Sequence, residues 1–190
     1  GSLSASQGTI IKAEISGRIS GIYFRSGDNV KAGAPLLQLN PDILKAQLDA
    51  AKAQTQLSKA DYERGLTLYK KKVFAKADLD KVSANYQIDL AKQAQNQATF
   101  DQTLIRAPFS GRLGLREVNL GDIIDPSKPI TNLESINLLW VDFNIPGTEA
   151  SKITMGSKIL IHASACPNKT FVGTIYAVDS HIDNDTRSLA

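Results

Sequence analysis

The residues able to do chemistry in this 190-residue chain are few and poorly grouped. Its single cysteine, Cys166, stands before Pro167 with no base close by in sequence, so it reads as a buried or incidental thiol, not a nucleophile. The two histidines, His162 and His181, fall in separate strand-like segments, without a partner at metal-ligand spacing. Asp179, Asp183 and Asp185 surround His181, but the Asn-Asp-Thr stretch there reads better as a turn. Met155 is the one methionine, which disfavours a thioether site for copper or silver. No phosphate-cradling loop, nucleophile elbow or pair of catalytic carboxylates is visible. The expectation is therefore no catalytic residue, no cofactor and no metal.

Bulk composition narrows the class further. Twenty-two basic and 19 acidic side chains give a net charge of +3, too balanced and too scattered for a nucleic-acid footprint. No apolar run reaches the 18 residues of a membrane-spanning helix. Gly1-Ser2 resembles a cloning remnant and both ends are abrupt, so the chain reads as a fragment. A signal, lipid anchor or helix preceding it stays open.

What remains is architecture. Ser16-Gly17-Arg18-Ile19 matches Ser110-Gly111-Arg112-Leu113 at an offset of 94 residues. At that same offset Gly27-Asp28 matches Gly121-Asp122, Val30 matches Ile124, Pro35 matches Pro129, Leu36 matches Ile130 and Leu39 matches Leu133. A gap-free match of this kind reports a repeated structural unit, against the alternative of two unrelated glycine-bearing hairpins. Each copy reads as short strands, Ile10 to Ile15 and Ile19 to Phe24 in the first, with Gly-Asp turns and a proline opening the last strand.

Between the copies, residues 41–103 hold one glycine and are rich in Ala, Gln, Lys and Leu, good helix formers. Asn40 is placed to cap a first helix opened by Pro41, and Asp42 suits its dipole. Leu44, Leu48, Ala51, Thr55, Ser58, Tyr62, Gly65 and Tyr69 follow 4-3 spacing, a heptad seam. A second stripe, Ile43, Ala46, Ala50, Ala53, Leu57 and Ala60, lies beside it. Leu79, Val82, Tyr86, Gln93, Phe100 and Leu104 make the seam of a second helix, with Ile88, Ala91, Ala98 and Ile105 on another face. Helices over 41–72 and 77–103 would be about 45–48 Å and about 40 Å long, matched as an antiparallel hairpin requires. Many seam positions are small or polar, so the pair is thinly packed. The second stripe points either to packing on neighbouring chains or to a surface stripe with no partner.

After Ser135, strands are expected over Leu138 to Ile145, Lys158 to Ala163 and Lys169 to Val178, with a break at Pro146-Gly147. A short helix is expected from Thr148 to Met155, stopped by Gly156. This reads as part of a small antiparallel barrel.

Together these features resemble the membrane fusion protein (HlyD-like) family, the periplasmic adaptors of resistance-nodulation-division (RND) efflux pumps. The residues carrying the likeness are Ser16-Gly17-Arg18-Ile19 with Gly27-Asp28-Asn29-Val30, and Ile105-Arg106-Ala107-Pro108-Phe109-Ser110-Gly111-Arg112. Leu139-Trp140-Val141-Asp142-Phe143 before Pro146, and Asp183-Asn184-Asp185-Thr186-Arg187, are similar to segments of the family's barrel. The resemblance implies an elongated α+β multidomain chain: a lipoyl-like (biotinyl-like) sandwich from 10–40 and 104–136, a helical hairpin over 41–103, and an incomplete barrel from 1–9 and 137–190. It implies a non-catalytic scaffold linking an inner-membrane RND transporter to a TolC-like outer-membrane channel. It also implies a trimeric or hexameric ring, in the periplasm, anchored through an N-terminal lipid or helix outside this fragment. An adaptor for an ABC or major-facilitator exporter is the near alternative.

In that family the hairpin tip meets the channel through an Arg, a Leu four residues on, and a Ser seven after that. Here Arg64 and Leu68 match and Ala75 replaces the Ser, an N-cap by position, with Asp78 where the cap's reciprocal partner would stand. The expected contact set is Arg64, Leu68, Lys71, Lys72, Val73, Phe74 and Ala75, with Val73 and Phe74 supplying an exposed apolar contact. The tip lysines, Lys70 included, fit equally a solvated helix end that complements the dipole. Carrier domains of the lipoyl fold bear a modified lysine at the join of the halves. Helix occupies that join here, and Lys31 and Lys128 lie inside the halves, which argues against a swinging arm. A lipoyl or biotin carrier with a helical insert stays as the alternative of another class, identifiable by the mass of a modified lysine.

Overall fold

A computed structural model describes residues 2–136, 138–143, 145–146, 154–162, 169–178, 182–183 and 188–189. The chain divides into two compact units, one of residues 7–137 and one of residues 1–6 with 138–190.

In the first unit the 94-residue repeat becomes a physical pseudo-two-fold. The first half supplies β2 (Gly8–Lys12), β3 (Gly17–Ile22), β4 (Asn29–Val30) and β5 (Pro35–Leu39). The second supplies β6 (Leu104–Arg106), β7 (Gly111–Leu113), β8 (Ile123–Ile124) and β9 (Pro129–Glu134). The two sheets run β2-β9-β7-β4 and β6-β5-β3-β8, so each half lends strands to the other's sheet. Gly17 pairs with Ile124, and at the same offset Gly111 pairs with Val30. The backbone N–H of Ile19 donates to the Asp122 carbonyl at 2.8 Å, and that of Leu113 donates to the Asp28 carbonyl at 2.9 Å.

The turns repeat too. Gly27 and Gly121 sit at φ +84° and +88°, a left-handed conformation that glycine takes without a Cβ clash. The Asp28 and Asp122 carboxylates each accept a hydrogen bond from the backbone N–H three residues earlier, Arg25 at 2.8 Å and Asn119 at 3.0 Å. The Asn119 bond, helped by Lys128 3.5 Å away, holds the Asp122 carboxyl below its ordinary value. Between the sheets the core is built from matched pairs, Ala13 with Ala107, Ile19 with Leu113, Leu36 with Ile130 and Leu39 with Leu133, all buried.

Strands β5 and β6 are antiparallel neighbours, with Gln38 opposite Leu104. The helical segment is thus an enlarged turn of a β-hairpin. Its base is tied by the Gln38 side-chain amide, which donates to the Thr103 carbonyl at 3.2 Å and its hydroxyl at 3.0 Å. Helix α1 spans Asp42–Lys70 and α2 spans Lys76–Asp101, slightly shorter than expected because the terminal turns fray into loop. The cap itself is corrected from Asn40 to Pro41, which offers no side-chain bond; Asn40, one residue before it, accepts at its Oδ1 from the Asp42 N–H at 2.9 Å. The seam is as expected over most of its length, with Leu48, Ala51, Thr55, Ser58 and Gly65 buried; Tyr69 is exposed. No residue of α2 is fully buried, so the pair is thin.

In the second unit β1 (Ser2–Ala5) pairs antiparallel with β10 (Leu139–Asp142), and β12 (Lys158–His162) with β13 (Thr170–Thr174). Strands β11 (Ile145–Pro146), β14 (Ile182–Asp183) and β15 (Ser188–Leu189) form a third sheet in the order β11-β15-β14. The expected break at Pro146 is corrected. Pro146 lies within β11, opposite Ser188 and next to Ile145, which faces Leu189; a missing N–H is tolerated in a short edge strand. Met155 and Gly156 form a turn, Gly156 at φ +89°. The strand expected to reach Val178 ends at Thr174. The expected helix over 148–153, Cys166, Asp179, His181, Asp185 and Arg187 lie outside the described residues.

Candidate tip site of the helical hairpin

The turn between the helices gathers the candidate contact residues. Helix α1 ends through Lys72, at φ +60° the one non-glycine residue with positive φ among the described residues. The Lys72 N–H donates to the Tyr69 carbonyl at 2.9 Å and the Val73 N–H to the Leu68 carbonyl at 3.1 Å. This reciprocal pair closes a helix through a left-handed residue, a position usually held by glycine.

Beyond it Ala75 stands at the head of α2 with extended backbone, φ −73° and ψ 148°, and no side-chain cap. The geometry is that of an N-cap; only the hydroxyl is missing, which costs about 0.5–2 kcal/mol of local stability. Asp78 is exposed in the first turn, where its charge suits the dipole.

Phe74 is corrected from an exposed contact to a half-buried one. Its ring folds back over Gly65: a Cβ added there would lie 3.2 Å from Phe74 Cε1 and 3.1 Å from Val82 Cγ2. The seam position of Gly65 was legible in the sequence, but not why it is glycine. Only the fold-back of Phe74 supplies the reason. Nearby, the rings of Tyr62 and Tyr86 stack across the helices with centroids 5.9 Å apart.

The remaining candidates are mostly on the surface. Arg64, Lys71, Lys72, Val73 and Ala75 are exposed, Val73 by 68%, and Leu68 is half-buried. Arg64 pairs with Asp61 at 3.4 Å on its own helix, an exposed ion pair of small worth. Lys70, Lys71 and Lys72 are consecutive and exposed, with no salt bridge among the described residues. The tip is therefore cationic, with an apolar centre at Val73 and Leu68.

Elsewhere, no group of three or more His, Cys, Asp or Glu among the described residues is placed to hold a metal. His162 Nε2 lies 3.2 Å from the Thr170 hydroxyl across β12 and β13. Lys31 is exposed, and Lys128 pairs with Asp122. No described helix is long and apolar enough to cross a membrane.

Two half-repeats that exchange strands around an inserted helical hairpin, followed by short antiparallel strands, define the architecture. Residues 8–134 match the family model for the RND MFP barrel-sandwich hybrid domain, and residues 138–190 match the CusB-like beta-barrel domain. The chain belongs to the RND membrane fusion protein family. It is 27% identical to the multidrug resistance protein MdtA of Escherichia fergusonii, over 100% of this chain and 51% of that protein. It is 26% identical to an uncharacterised protein of Haemophilus influenzae, over 95% of this chain and 47% of that one. The chain thus spans about half the length of the curated relatives it matches. A putative efflux transporter from Bacteroides eggerthii has the same fold, with a TM-score of 0.79 at 18% identity, covering 98% of this chain and 57% of that one.

Proposed function

We propose that this chain is part of a periplasmic adaptor that links an inner-membrane RND transporter to an outer-membrane channel. It acts as a scaffold with no catalysis of its own. The observation that carries this reading is the insertion of a two-helix hairpin into the β5–β6 turn of a lipoyl-like sandwich. In a carrier that turn would present the modified lysine; here it is spent on reach. Family membership and the similarity to MdtA support the same reading. An anchor at the inner membrane, and self-association into a ring, belong to the proposal.

The hairpin tip is the proposed channel contact, through Arg64, Leu68, Lys71, Lys72, Val73 and Ala75, with Phe74 supporting the turn from beneath. Lysine in the left-handed slot of the cap favours this reading, because residues kept in a costly conformation cluster at functional sites. The test is pump-dependent drug resistance in the native host. Val73→Asp together with Lys71→Glu should abolish resistance at normal protein levels, since both side chains are exposed. Phe74→Asp is a poor probe, because the ring also holds the tip together. Full resistance in the double variant would sink the tip contact.

A further inference from the structure

The turn that joins α1 to α2 concentrates charge of one sign. Residues 65–77 hold four lysines, Lys70, Lys71, Lys72 and Lys76, and no acid. The whole chain carries a net charge of +3, so this one turn outweighs the balance of everything else. All four lysines are exposed, and none has a salt bridge among the described residues. The charges around them do not cancel the excess. On α1, Glu63 pairs with Lys59 at 3.9 Å and Arg64 with Asp61 at 3.4 Å. On α2, Asp78, Asp80 and Lys81 are all exposed. Over residues 59–81 seven basic side chains stand against four acidic ones, so the excess survives the full count.

The hairpin's own folding explains only part of this. Lys70 and Lys71 close α1, where cations complement the helix dipole. Lys76 is the first residue of α2, the end at which the dipole disfavours a cation. Lys72 holds a left-handed backbone that suits glycine better. Two of the four lysines therefore stand where the hairpin gains nothing from them, and their charge answers to something outside it. The apolar part of the tip is small. Val73 is exposed, Leu68 is half-buried, and the Phe74 ring is turned inward over Gly65. A tip that entered lipid would turn that ring outward, as helices at a membrane surface do with Phe and Trp. One apolar point inside a charged rim is the anatomy of a contact with protein.

We infer that the tip is received by an acidic depression on the outer-membrane channel, with Val73 on its apolar floor and carboxylates around its rim facing Lys70, Lys71, Lys72 and Lys76. This rests on the channel contact proposed above and names the chemistry that recognises it. Lysine acts as a point charge on a flexible stem, without the fixed fork of arginine. The rim therefore governs the rate and salt dependence of docking more than its register. Assembly weakens as ionic strength rises, and a channel whose mouth lacks carboxylates is rejected.

The experiment is photocrosslinking in the whole protein, in its native host, from a benzophenone side chain placed at Ala77 or, as a second position, at Thr67, both exposed. Mass spectrometry of the product should show a peptide of an outer-membrane channel that carries Asp or Glu. A channel peptide with no acid in it or beside it would overturn this inference and leave the channel contact standing. An adduct to lipid alone, or no adduct from either position while resistance persists, would overturn both. In isolated envelopes, Lys70, Lys71, Lys72 and Lys76 all replaced by Gln should lower the crosslink yield about tenfold, and all replaced by Arg should keep it within about twofold. Raising sodium chloride from about 50 to about 300 mM should lower the yield of the unaltered tip roughly threefold and leave that of the Gln variant unchanged. Full yield in the Gln variant, or equal loss in the Gln and Arg variants at unchanged helix content, would show that charge is not what the partner reads.

Discussion

Lys72 is the residue where backbone cost and cap geometry part company. A non-glycine side chain at φ +60° crowds its own carbonyl, while the helix cap it closes is well made, with bonds of 2.9 and 3.1 Å. Lys72→Gly should relieve that crowding, offset in part by glycine's greater entropy loss, for a net gain of about 0.7 kcal/mol. The measurement is amide exchange at Lys72 and Val73, expected to slow by roughly threefold. Faster exchange would show that lysine's packing outweighs its backbone cost. The lysine itself was visible in the sequence as part of a basic run, but its conformation was not. Nothing in Lys70-Lys71-Lys72 says which lysine turns the chain, because that depends on where Val73 finds a carbonyl. Phe74 was misread for a related reason: an aromatic at a turn looks exposed until the glycine that receives it, nine residues earlier, is brought beneath it.

The hairpin was the most legible element. Its 4-3 spacing selects the buried side of α1, because periodicity alone decides which residues share a face. The limits of the helices were less legible, since the loop between them is closed by backbone bonds that carry no side-chain signature. The second stripe of Ile43, Ala46, Ala50, Ala53, Leu57 and Ala60 was legible from spacing alone, and all six residues are exposed. Burial in the seam falls on one leucine and then on Ala, Thr, Ser and Gly, so Leu48 carries a disproportionate share. Leu48→Ala should cost the hairpin about 2–5 kcal/mol. Hydrogen exchange should show α1 and α2 losing protection while the sandwich strands keep theirs. Equal loss in both would mean that the helices and sandwich unfold as one.

At the scale of the molecule, the repeat offset marks one unit of short strands used twice, because paired core positions need the same residue character twice; that the two units build a sandwich was implied by the family resemblance. What the offset could not reveal was the exchange of strands, in which Gly17 finds Ile124 and Val30 finds Gly111. Either half alone lacks half of each sheet. The hairpin, by contrast, sits in a turn between adjacent antiparallel strands whose ends are joined by the Leu39 N–H to the Thr103 carbonyl at 2.8 Å. Replacing residues 42–101 with a short glycine-containing turn should therefore leave the sandwich folded and cooperative, with helical dichroism lost. A chain that fails to melt cooperatively after this exchange would show that the helices stabilise the sheets beneath them.

The exchange of strands also has a consequence for how the chain finds its fold. The partners of β3 and β4 in the opposite half are 80 to 110 residues away in sequence, and contacts of that separation make folding slow. Helices form and pair within microseconds to tens of microseconds, long before such strands meet by diffusion. Once α1 and α2 run side by side, Leu39 and Thr103 become neighbours and the effective loop between the halves shrinks from some sixty residues to a few. The hairpin that supplies reach in the finished protein would then also serve, earlier, as the guide that brings the two halves of its own foundation together.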